Sequence, residues 1–267
     1  MPAEFDLHLI EALIIDIDGT LWRGDTPLPG LTDFFEVLRR RGLAYRVVTN
    51  NTVKTPASFA QKFADFGISL DPGYILTAAV ATADWLRQQF PPGAAVYVIG
   101  ETGLRVAVQQ AGFTLLDDAG QPAAAVVVGG DYSLTYAKLK CAILHIQRGA
   151  AFIGTNPDLL VPAEEGLIPE AGTILAAVQA ATGVQPVIIG KPAVGLFEMA
   201  LQAMGSLPAR TAMLGDRLET DILGGQRAGL KTILVTTGVD DRAAVQHKQI
   251  TPDLITSGLA DLARFLT

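Results

Sequence analysis

The 267-residue sequence contains a single cysteine, Cys141, and therefore cannot form an internal disulfide bond. One unpaired thiol is typical of a reducing compartment, and we expect a cytoplasmic protein. No apolar run approaches the roughly 20 residues of a membrane-spanning helix. No basic N-terminal segment precedes a long apolar one. We therefore expect neither a membrane partner nor a signal peptide.

Positive charge is also scarce, with 20 Lys and Arg residues against 27 Asp and Glu residues and a net charge of −7. A protein that binds nucleic acid usually carries a basic face. The one basic run, at 39–41, falls at the end of a predicted helix, where cations interact favourably with the helix dipole. We therefore expect no nucleic-acid partner.

About half of the residues, 49%, are apolar and 18% are charged, as expected for a globular protein. Apolar strand-like runs alternate with helix-like segments, which predicts an α/β fold with a doubly wound, Rossmann-like parallel sheet. The predicted strands are 12–16, 44–50, 94–100, 123–130, 151–156, 211–216 and 231–238. The predicted helices are 32–41, 56–67, 77–89, 103–111, 135–148, about 171–182, 194–204, 220–228 and one at the C-terminus. A loop rich in Pro, Gly and Glu is predicted from about residue 157 to 171.

Polar residues follow several of the predicted strands, and ligands of doubly wound folds bind at the carboxyl ends of the strands. These residues comprise four acids, a hydroxyl with two amides, and one lysine: Asp16, Asp18, Asp216, Asp221, Thr49, Asn50, Asn51 and Lys191. Four carboxylates brought together would repel one another and raise each other's pKa. A hard divalent cation resolves that conflict, and a small set of oxygen ligands favours Mg²⁺.

With a phosphate at this edge of the sheet, each residue type has a chemical use. Asp16 could act as a nucleophile, since carboxylates form phosphoenzymes, and Asp18 could protonate a leaving oxygen and then activate water. Gly19 lets the chain turn away without a Cβ beside the substrate. Thr49 and the backbone N–H groups after it could bind phosphate oxygens, and Lys191 adds a positive charge.

Each motif also has a plain structural interpretation. An Asp-Gly pair after a strand is usually a turn, "TNN" is often a polar cap, Asp216 could merely begin a turn, and a lysine before proline is usually exposed. The combined order and strand-end placement of the motifs favour the functional interpretation.

The segments "DIDGTLWRG", "TNN", "GKP" and "GDRLETD" resemble the four motifs of the haloacid dehalogenase superfamily of phosphatases. The segments "VVVGGDYSLTYAKL" and "GTNPD" further resemble the capped subfamily that contains N-acetylglucosamine-operon, p-nitrophenyl phosphate and phosphoglycolate phosphatases. Many of these relatives have Val where this chain has Thr20, a residue common elsewhere in the superfamily.

The resemblance implies a role for each candidate residue. Asp16 would be the nucleophile and a Mg²⁺ ligand, and Asp18 the general acid/base, with its backbone carbonyl a further ligand. Asp216 would bind Mg²⁺, with Asp221 close by. The phosphoryl group would be bound by Thr49, Asn50, Asn51, Gly19 and Lys191.

About 140 residues separate Asn50 from Lys191, several times the length of one crossover connection. We therefore expect an inserted α/β cap domain at 78–182, with the catalytic core formed by 1–77 and 183–267. By resemblance, caps of this type can dimerise, so a homodimer is one expectation. For Asp131 we favour a helix N-cap, for 156–158 a turn, and for His145 a core position over contact with substrate.

The sequence thus predicts a Mg²⁺-dependent phosphatase of a small phosphorylated metabolite that reacts through an aspartyl-phosphate. The substrate classes left open are a sugar phosphate, a nucleotide, phosphoglycolate and p-nitrophenyl phosphate. A phosphotransferase or mutase, a non-hydrolytic phospho-receiver, and a binding protein on an inactive enzyme fold are the alternatives. Asp18 and the predicted cap argue against the receiver.

Overall fold

The computed structural model describes residues 6–163 and 166–266. The strands of these residues are, in chain order, β1 Ala12–Ile15, β2 Trp22–Arg23, β3 Thr26–Pro27, β4 Ala44–Thr49, β5 Ile75–Thr77, β6 Ala95–Ile99, β7 Thr114–Leu116, β8 Ala125–Val128, β9 Ala151–Gly154, β10 Leu160–Ala163, β11 Gly166–Pro169, β12 Val187–Ile188, β13 Thr211–Gly215, β14 Lys231–Val235 and β15 Leu254–Thr256.

The α-helices of the same residues follow the strands in alternation. They are α1 Leu31–Arg41, α2 Pro56–Asp65, α3 Ala78–Gln89, α4 Thr102–Gln110, α5 Tyr136–Gln147, α6 Ala171–Thr182, α7 Gly195–Met204, α8 Leu223–Arg227, α9 Arg242–Lys248 and α10 Leu259–Phe265. A π-helical turn, Leu218–Ile222, leads directly into α8.

The chain forms two compact units. The first contains the described residues of Met1–Thr49, Phe59–Leu76 and Lys191–Thr267, and the second contains the described residues of Asn50–Ser58 and Thr77–Gly190. These limits differ from the domain boundaries expected from the sequence at Asn50–Ser58, at Thr77 and at 183–190. The assignment of a catalytic core and a cap to them stays a prediction.

The first unit is built on a six-stranded sheet with the order β15-β14-β13-β1-β4-β5. Neighbours from β15 to β4 run parallel, and Ile15 of β1 lies opposite Leu214 of β13 and Val47 of β4. All four residues of β1 are fully buried, because a central parallel strand is covered on both faces. The predicted α/β fold with parallel sheets is confirmed.

Strand β1 occupies the point at which the order of the sheet reverses. The chain passes from β1 to β4 on one side, whereas β13 pairs with the other side of β1. The carboxyl ends of these three strands therefore meet at the crevice where doubly wound folds bind ligands.

The second unit is built on a five-stranded sheet with the order β12-β9-β8-β6-β7, and all of its pairs are parallel. Its central strand, β8, is fully buried. Helix α5 contributes Ile146 to the adjacent core, and helix α6 contributes Ile174 and Val178.

The segment predicted as a loop before residue 171 instead contains β10 and β11, which pair as an antiparallel ribbon. Residues 164 and 165 of that predicted loop lie outside the described residues. The short strands β5, β7 and β15 were also missed, because three residues are too few to reveal an alternating pattern. Helix α9, between β14 and β15, was missed as well. Among the described helices, none is both long and apolar enough to cross a bilayer.

The second unit holds a buried carboxyl group at the start of α6. Glu170 is 7% exposed, and its carboxyl group packs so closely against Gly130 that a Cβ there would lie 2.5 Å from Oε1. Burial raises the pKa of Glu170 to about 7, and the charge of Asp158 adds to the rise, while hydrogen bonds from Asn156 and the Ala171 backbone oppose it. The folded chain therefore keeps this proton at pH values where an unfolded glutamate has lost it.

We expect the Glu170→Gln variant to gain stability relative to wild type as the pH rises. A raised carboxyl pKa means that the wild type loses stability between pH 4.5 and about 7, and the neutral amide does not. The difference in unfolding free energy should grow by up to about 3 kcal/mol across that range. Urea unfolding at pH 5 and pH 8 measures it, with the exposed Glu36→Gln as control. A difference that does not change with pH would contradict the assignment.

Candidate active site

Asp16 directly continues the buried strand β1. Its N–H donates to the Leu214 carbonyl at 2.8 Å, as the parallel ladder requires, and the residue is 7% exposed. The next residue, Ile17, is fully buried. Asp18 is exposed, and its backbone forms an isolated β-bridge with Trp22. The sheet therefore fixes the backbone of Asp16, whereas the side chain of Asp18 reaches solvent.

Lys191 forms a buried double ion pair with two of the predicted acids. Its Nζ lies 2.5 Å from Asp16 Oδ1 and 2.6 Å from Asp221 Oδ1, and the residue is 2% exposed. The interpretation of this lysine as a surface residue is therefore excluded. This contact joins two residues that are 175 positions apart in the sequence.

Asp216 completes a cluster of three buried carboxylates. One oxygen of each of Asp16, Asp216 and Asp221 lies within 4.8 Å of the others, so together they could hold a metal ion. Asp216 Oδ2 accepts a hydrogen bond from the Val239 N–H at 2.7 Å. Asp216 Oδ1 is buried and has no hydrogen-bond partner among the described residues. A buried carboxylate oxygen without a donor fits a cation ligand, since a hard divalent ion prefers such oxygens.

The protonation of the cluster reflects its burial. Desolvation raises the pKa of Asp16 well above its usual value, and Asp221 and Asp216 reinforce that rise against the opposing charge of Lys191. Desolvation, with the charge of Asp221, also raises the pKa of Asp216 to about 7. Burial alone would lower the pKa of Lys191, but Asp16 and Asp221 outweigh it and raise the value, so the lysine stays charged. A divalent cation would reverse the rise of the carboxyl pKa values and release their protons.

Glycines surround the Asp216 carboxylate on two sides. A Cβ on Gly19 would lie 2.3 Å from Asp216 Oδ2, and one on Gly238 would lie 1.8 Å from it. Gly19 also has φ +81°, which disfavours other residues. The absence of a Cβ at Gly19 therefore makes room for Asp216, and its expected place beside the substrate stays a prediction.

Three of the five predicted phosphate-binding residues follow β4, with Thr49 in the first unit and Asn50 and Asn51 in the second. Thr49 is buried at the end of β4, two residues past the position that pairs with Ile15. In the second unit, Asn50 Nδ2 donates to Asp158 Oδ2 at 3.0 Å, and Asn51 Oδ1 accepts from the N–H groups of Val53 and Lys54. Their contact with a phosphoryl group stays a prediction.

The further residues considered in the second unit have structural partners. Asp131 pairs with Lys138 at 2.7 Å, and the N-cap of α5 is Thr135, so the expectation that Asp131 is that cap was wrong. Thr135 lies nearer the helix start and its hydroxyl accepts from the Lys138 N–H. His145 is 1% exposed within the core, and its Nε2 forms a hydrogen bond with the Asp118 carbonyl. Asp158 N–H donates to Asn156 Oδ1, which forms the expected turn.

Sequence reasoning missed the loop after β14. Thr237 donates its hydroxyl to the Gly19 carbonyl at 2.7 Å, and the Asp240 N–H donates to the Asp216 carbonyl at 3.1 Å. The signal was available, because "TTGVD" ends a predicted strand of the same parallel sheet. This loop carries none of the predicted reacting residues and supports them through backbone contacts.

The close approach of Gly19 to Asp216 can be tested with a matched pair of variants. Gly19 and Gly42 both have positive φ, but a Cβ on Gly42 would meet nothing within 4 Å. Each alanine should cost about 1–2 kcal/mol of backbone strain. Only Gly19→Ala should also weaken divalent-cation binding, measured by calorimetric titration, because its Cβ displaces the Asp216 carboxylate. Equal cation affinity in the two variants would contradict the claim that a Cβ on Gly19 displaces the Asp216 carboxylate.

Comparisons with known proteins agree with this geometry. The family model described as haloacid dehalogenase-like hydrolase matches residues 13–114, and one described as HAD-hydrolase-like matches 188–262. The chain is 40% identical to the acid sugar phosphatase of Staphylococcus aureus over 91% of this chain and 92% of that protein.

The chain is also similar to proteins of known structure over nearly its whole length. The 4-nitrophenylphosphatase of Thermotoga maritima superposes with a TM-score of 0.92 at 31% identity, covering 98% of this chain and 99% of that one. The glycerol phosphate phosphatase of Mycobacterium tuberculosis, solved in complex with calcium, gives 0.89 at 31% identity, covering 96% of this chain and 75% of that one. The chain belongs to the haloacid dehalogenase-like hydrolases and is a phosphoric monoester hydrolase of that family.

Proposed function

We propose that the protein is a Mg²⁺-dependent phosphatase that hydrolyses a small phosphorylated metabolite through an aspartyl-phosphate at Asp16. The observation that carries the proposal is the buried group of Asp16, Asp216 and Asp221 around Lys191, at the switch point of a parallel sheet. Such a site combines a nucleophile, an anion-neutralising cation and ligands for a metal, which are the components of phosphoryl transfer.

The proposed reaction has two steps. An oxygen of Asp16 attacks the phosphorus atom, the bond to the leaving oxygen breaks, and Asp18 donates a proton to that oxygen. Asp18, now a carboxylate, removes a proton from water as the water oxygen attacks the same phosphorus atom. The bond to Asp16 then breaks, and inorganic phosphate leaves. The exposure of Asp18 suits this exchange, because its side chain can contact both leaving group and solvent.

Lys191 has a positioning role and an electrostatic role in this scheme. Its ammonium group fixes Asp16 and Asp221 through charge-assisted hydrogen bonds, so the nucleophile is oriented before the substrate binds. Its raised pKa keeps it charged in the working range, where it would neutralise phosphate oxygens. Thr49 and the backbone groups that follow it are the proposed donors to the remaining oxygens.

The proposed Mg²⁺ would be held by Asp16, Asp216 and the Asp18 carbonyl, with Asp221 nearby. When bound, it supplies positive charge that binds and polarises the phosphoryl group. The partnerless Asp216 Oδ1 and the mutual proximity of the three acids support this assignment. The small set of oxygen ligands favours Mg²⁺ over softer metals.

For the substrate we propose a small phosphate monoester, with sugar phosphates first. The names of the similar proteins support this class: they include an acid sugar phosphatase, a 4-nitrophenylphosphatase and a glycerol phosphate phosphatase. Nucleotides and phosphoglycolate complete the panel to be assayed. The expectations of a cytoplasmic location and a homodimer are part of the same proposal and rest on the sequence.

The variants Asp16→Asn and Asp18→Asn separate the two steps. We expect Asp16→Asn to lower kcat on p-nitrophenyl phosphate by roughly 10⁴-fold or more, since the nucleophile is lost. It should not become phosphorylated. Asp18→Asn should also turn over slowly, but with this activated leaving group it should accumulate phosphoenzyme. Acid quenching and mass spectrometry measure both results, and the exposed Asp65→Asn is the control.

Turnover of Asp16→Asn near the wild-type rate would exclude Asp16 as the nucleophile. A wild-type phosphoenzyme that persists for many minutes would instead support the phospho-receiver. Activity unchanged by chelation and by added Mg²⁺ would remove the metal from the proposal, and a folded protein inactive on the whole panel would contradict the small-metabolite assignment.

A further inference from the structure

We propose that Asp240 is a positioning residue that holds Asp216 and the following turn in place for cation binding. The inference rests on the proposed cation site and goes beyond it, because Asp240 is not among the three clustered acids. It concerns how the chain keeps two of those acids fixed when their mutual repulsion favours separation.

Asp240 contacts the Asp216 segment at two points. Its backbone N–H donates to the Asp216 carbonyl at 3.1 Å, and its carboxylate Oδ2 accepts from the Leu218 N–H at 2.7 Å. Asp240 thus bridges positions two residues apart on the other loop. The neighbouring Val239 N–H donates to Asp216 Oδ2, so backbone and side chain of Asp216 are held from the same loop.

The contact with Leu218 extends this support to a second acid. Leu218 is the first residue of the π-helical turn that carries Asp221. Asp221 Oδ2 accepts from the Arg217 N–H at 3.0 Å, one residue before the point that Asp240 holds. Asp240 therefore fixes the segment between Asp216 and Asp221, and with it the spacing of the two carboxylates.

Asp240 is itself buried, at 4% exposure, and its carboxylate is paired with a positively charged side chain. Lys248 of α9 places its Nζ 2.9 Å from Asp240 Oδ1 and 2.7 Å from Glu219 Oε2. A buried carboxylate that accepts a backbone N–H and pairs with a lysine is strongly oriented. Oriented partners beyond the metal ligands usually matter for affinity, and their loss costs about 10–100-fold.

Asp253 provides a more exposed control, away from the site, that makes the same two kinds of contact. Its carboxylate accepts from the Thr232 N–H at 2.9 Å and pairs with Lys231 at 3.2 Å. Lys231 and Thr232 lie at the start of β14, whereas the Asp240 loop follows the end of that strand. The two sets of contacts therefore lie at opposite ends of β14. If the Asp240 contacts contributed only to stability, removing the carboxylate of Asp240 or that of Asp253 should have the same effect on cation affinity.

The test compares Asp240→Ala, Asp240→Asn and Asp253→Ala with wild type by calorimetric titration of the full chain with Mg²⁺ and by thermal unfolding without metal. We expect Asp240→Ala to bind Mg²⁺ about 10–100-fold more weakly. Asp240→Asn keeps an acceptor for Leu218 but loses the pair with Lys248, so it should bind at least about threefold more weakly. Asp253→Ala should lose stability without a change in affinity. Excess Mg²⁺ should restore phosphatase activity to both Asp240 variants.

Affinity within twofold of wild type in Asp240→Asn, or in a folded Asp240→Ala, would overturn the inference while the proposed metal site stood. An equal loss of affinity in Asp253→Ala would overturn it too, because the effect would then be one of general stability. If Asp240→Ala does not fold, the Asn variant decides. A wild-type protein that does not bind Mg²⁺ would refute the proposed cation site and this inference with it.

Discussion

The double ion pair of Lys191 with Asp16 and Asp221 is the interaction on which the rest of the site depends. Three carboxylates in a buried volume repel one another and are costly to desolvate. One ammonium group in contact with two of them offsets part of that cost, whereas Asp216 Oδ1 has no hydrogen-bond partner among the described residues. The three acids together could therefore hold a metal ion.

Asp216 is positioned by main-chain atoms rather than by side-chain packing. Glycines on two sides let main-chain segments approach the Asp216 carboxylate more closely than any residue with a Cβ would allow. Hydrogen bonds from the loop after β14 then fix its backbone and one of its oxygens. The oxygen that accepts no such bond remains available for coordination. Rigid placement of this kind lowers the reorganisation required during catalysis.

Much of the fold and the central residues of the site could be predicted from the sequence. Fully buried strands such as β1 and β8 carry uninterrupted apolar runs, and the motif acids follow strand ends, so the gathering of Asp16, Asp216, Asp221 and Lys191 was inferred from one rule about parallel sheets. The limits of prediction have physical causes. Three-residue strands contain no readable period, and each strand of the β10–β11 ribbon contains a proline, which is atypical of paired strands.

The supporting residues were harder to find than the reacting ones for a related reason. Asp240 acts through hydrogen bonds to main-chain groups, and such bonds depend on where two loops meet, not on the kind of residue present. Gly19 was singled out for the space it leaves beside a substrate, but the sequence does not show that the Asp216 carboxylate also lies beside it. Chemistry-bearing residue types can thus be recognised from sequence, whereas the contacts that hold them require coordinates.

The wide separation of the acids along the chain has a consequence for biosynthesis. Asp16 and Lys191 are 175 residues apart. At typical elongation rates of about 5–20 residues per second, roughly 10–35 s pass between the synthesis of one and the other. During that interval β1 has neither β13 beside it nor the lysine that pairs with its aspartate. The residues proposed to bind the metal and to react therefore come together only once the last strands of the first sheet have been made.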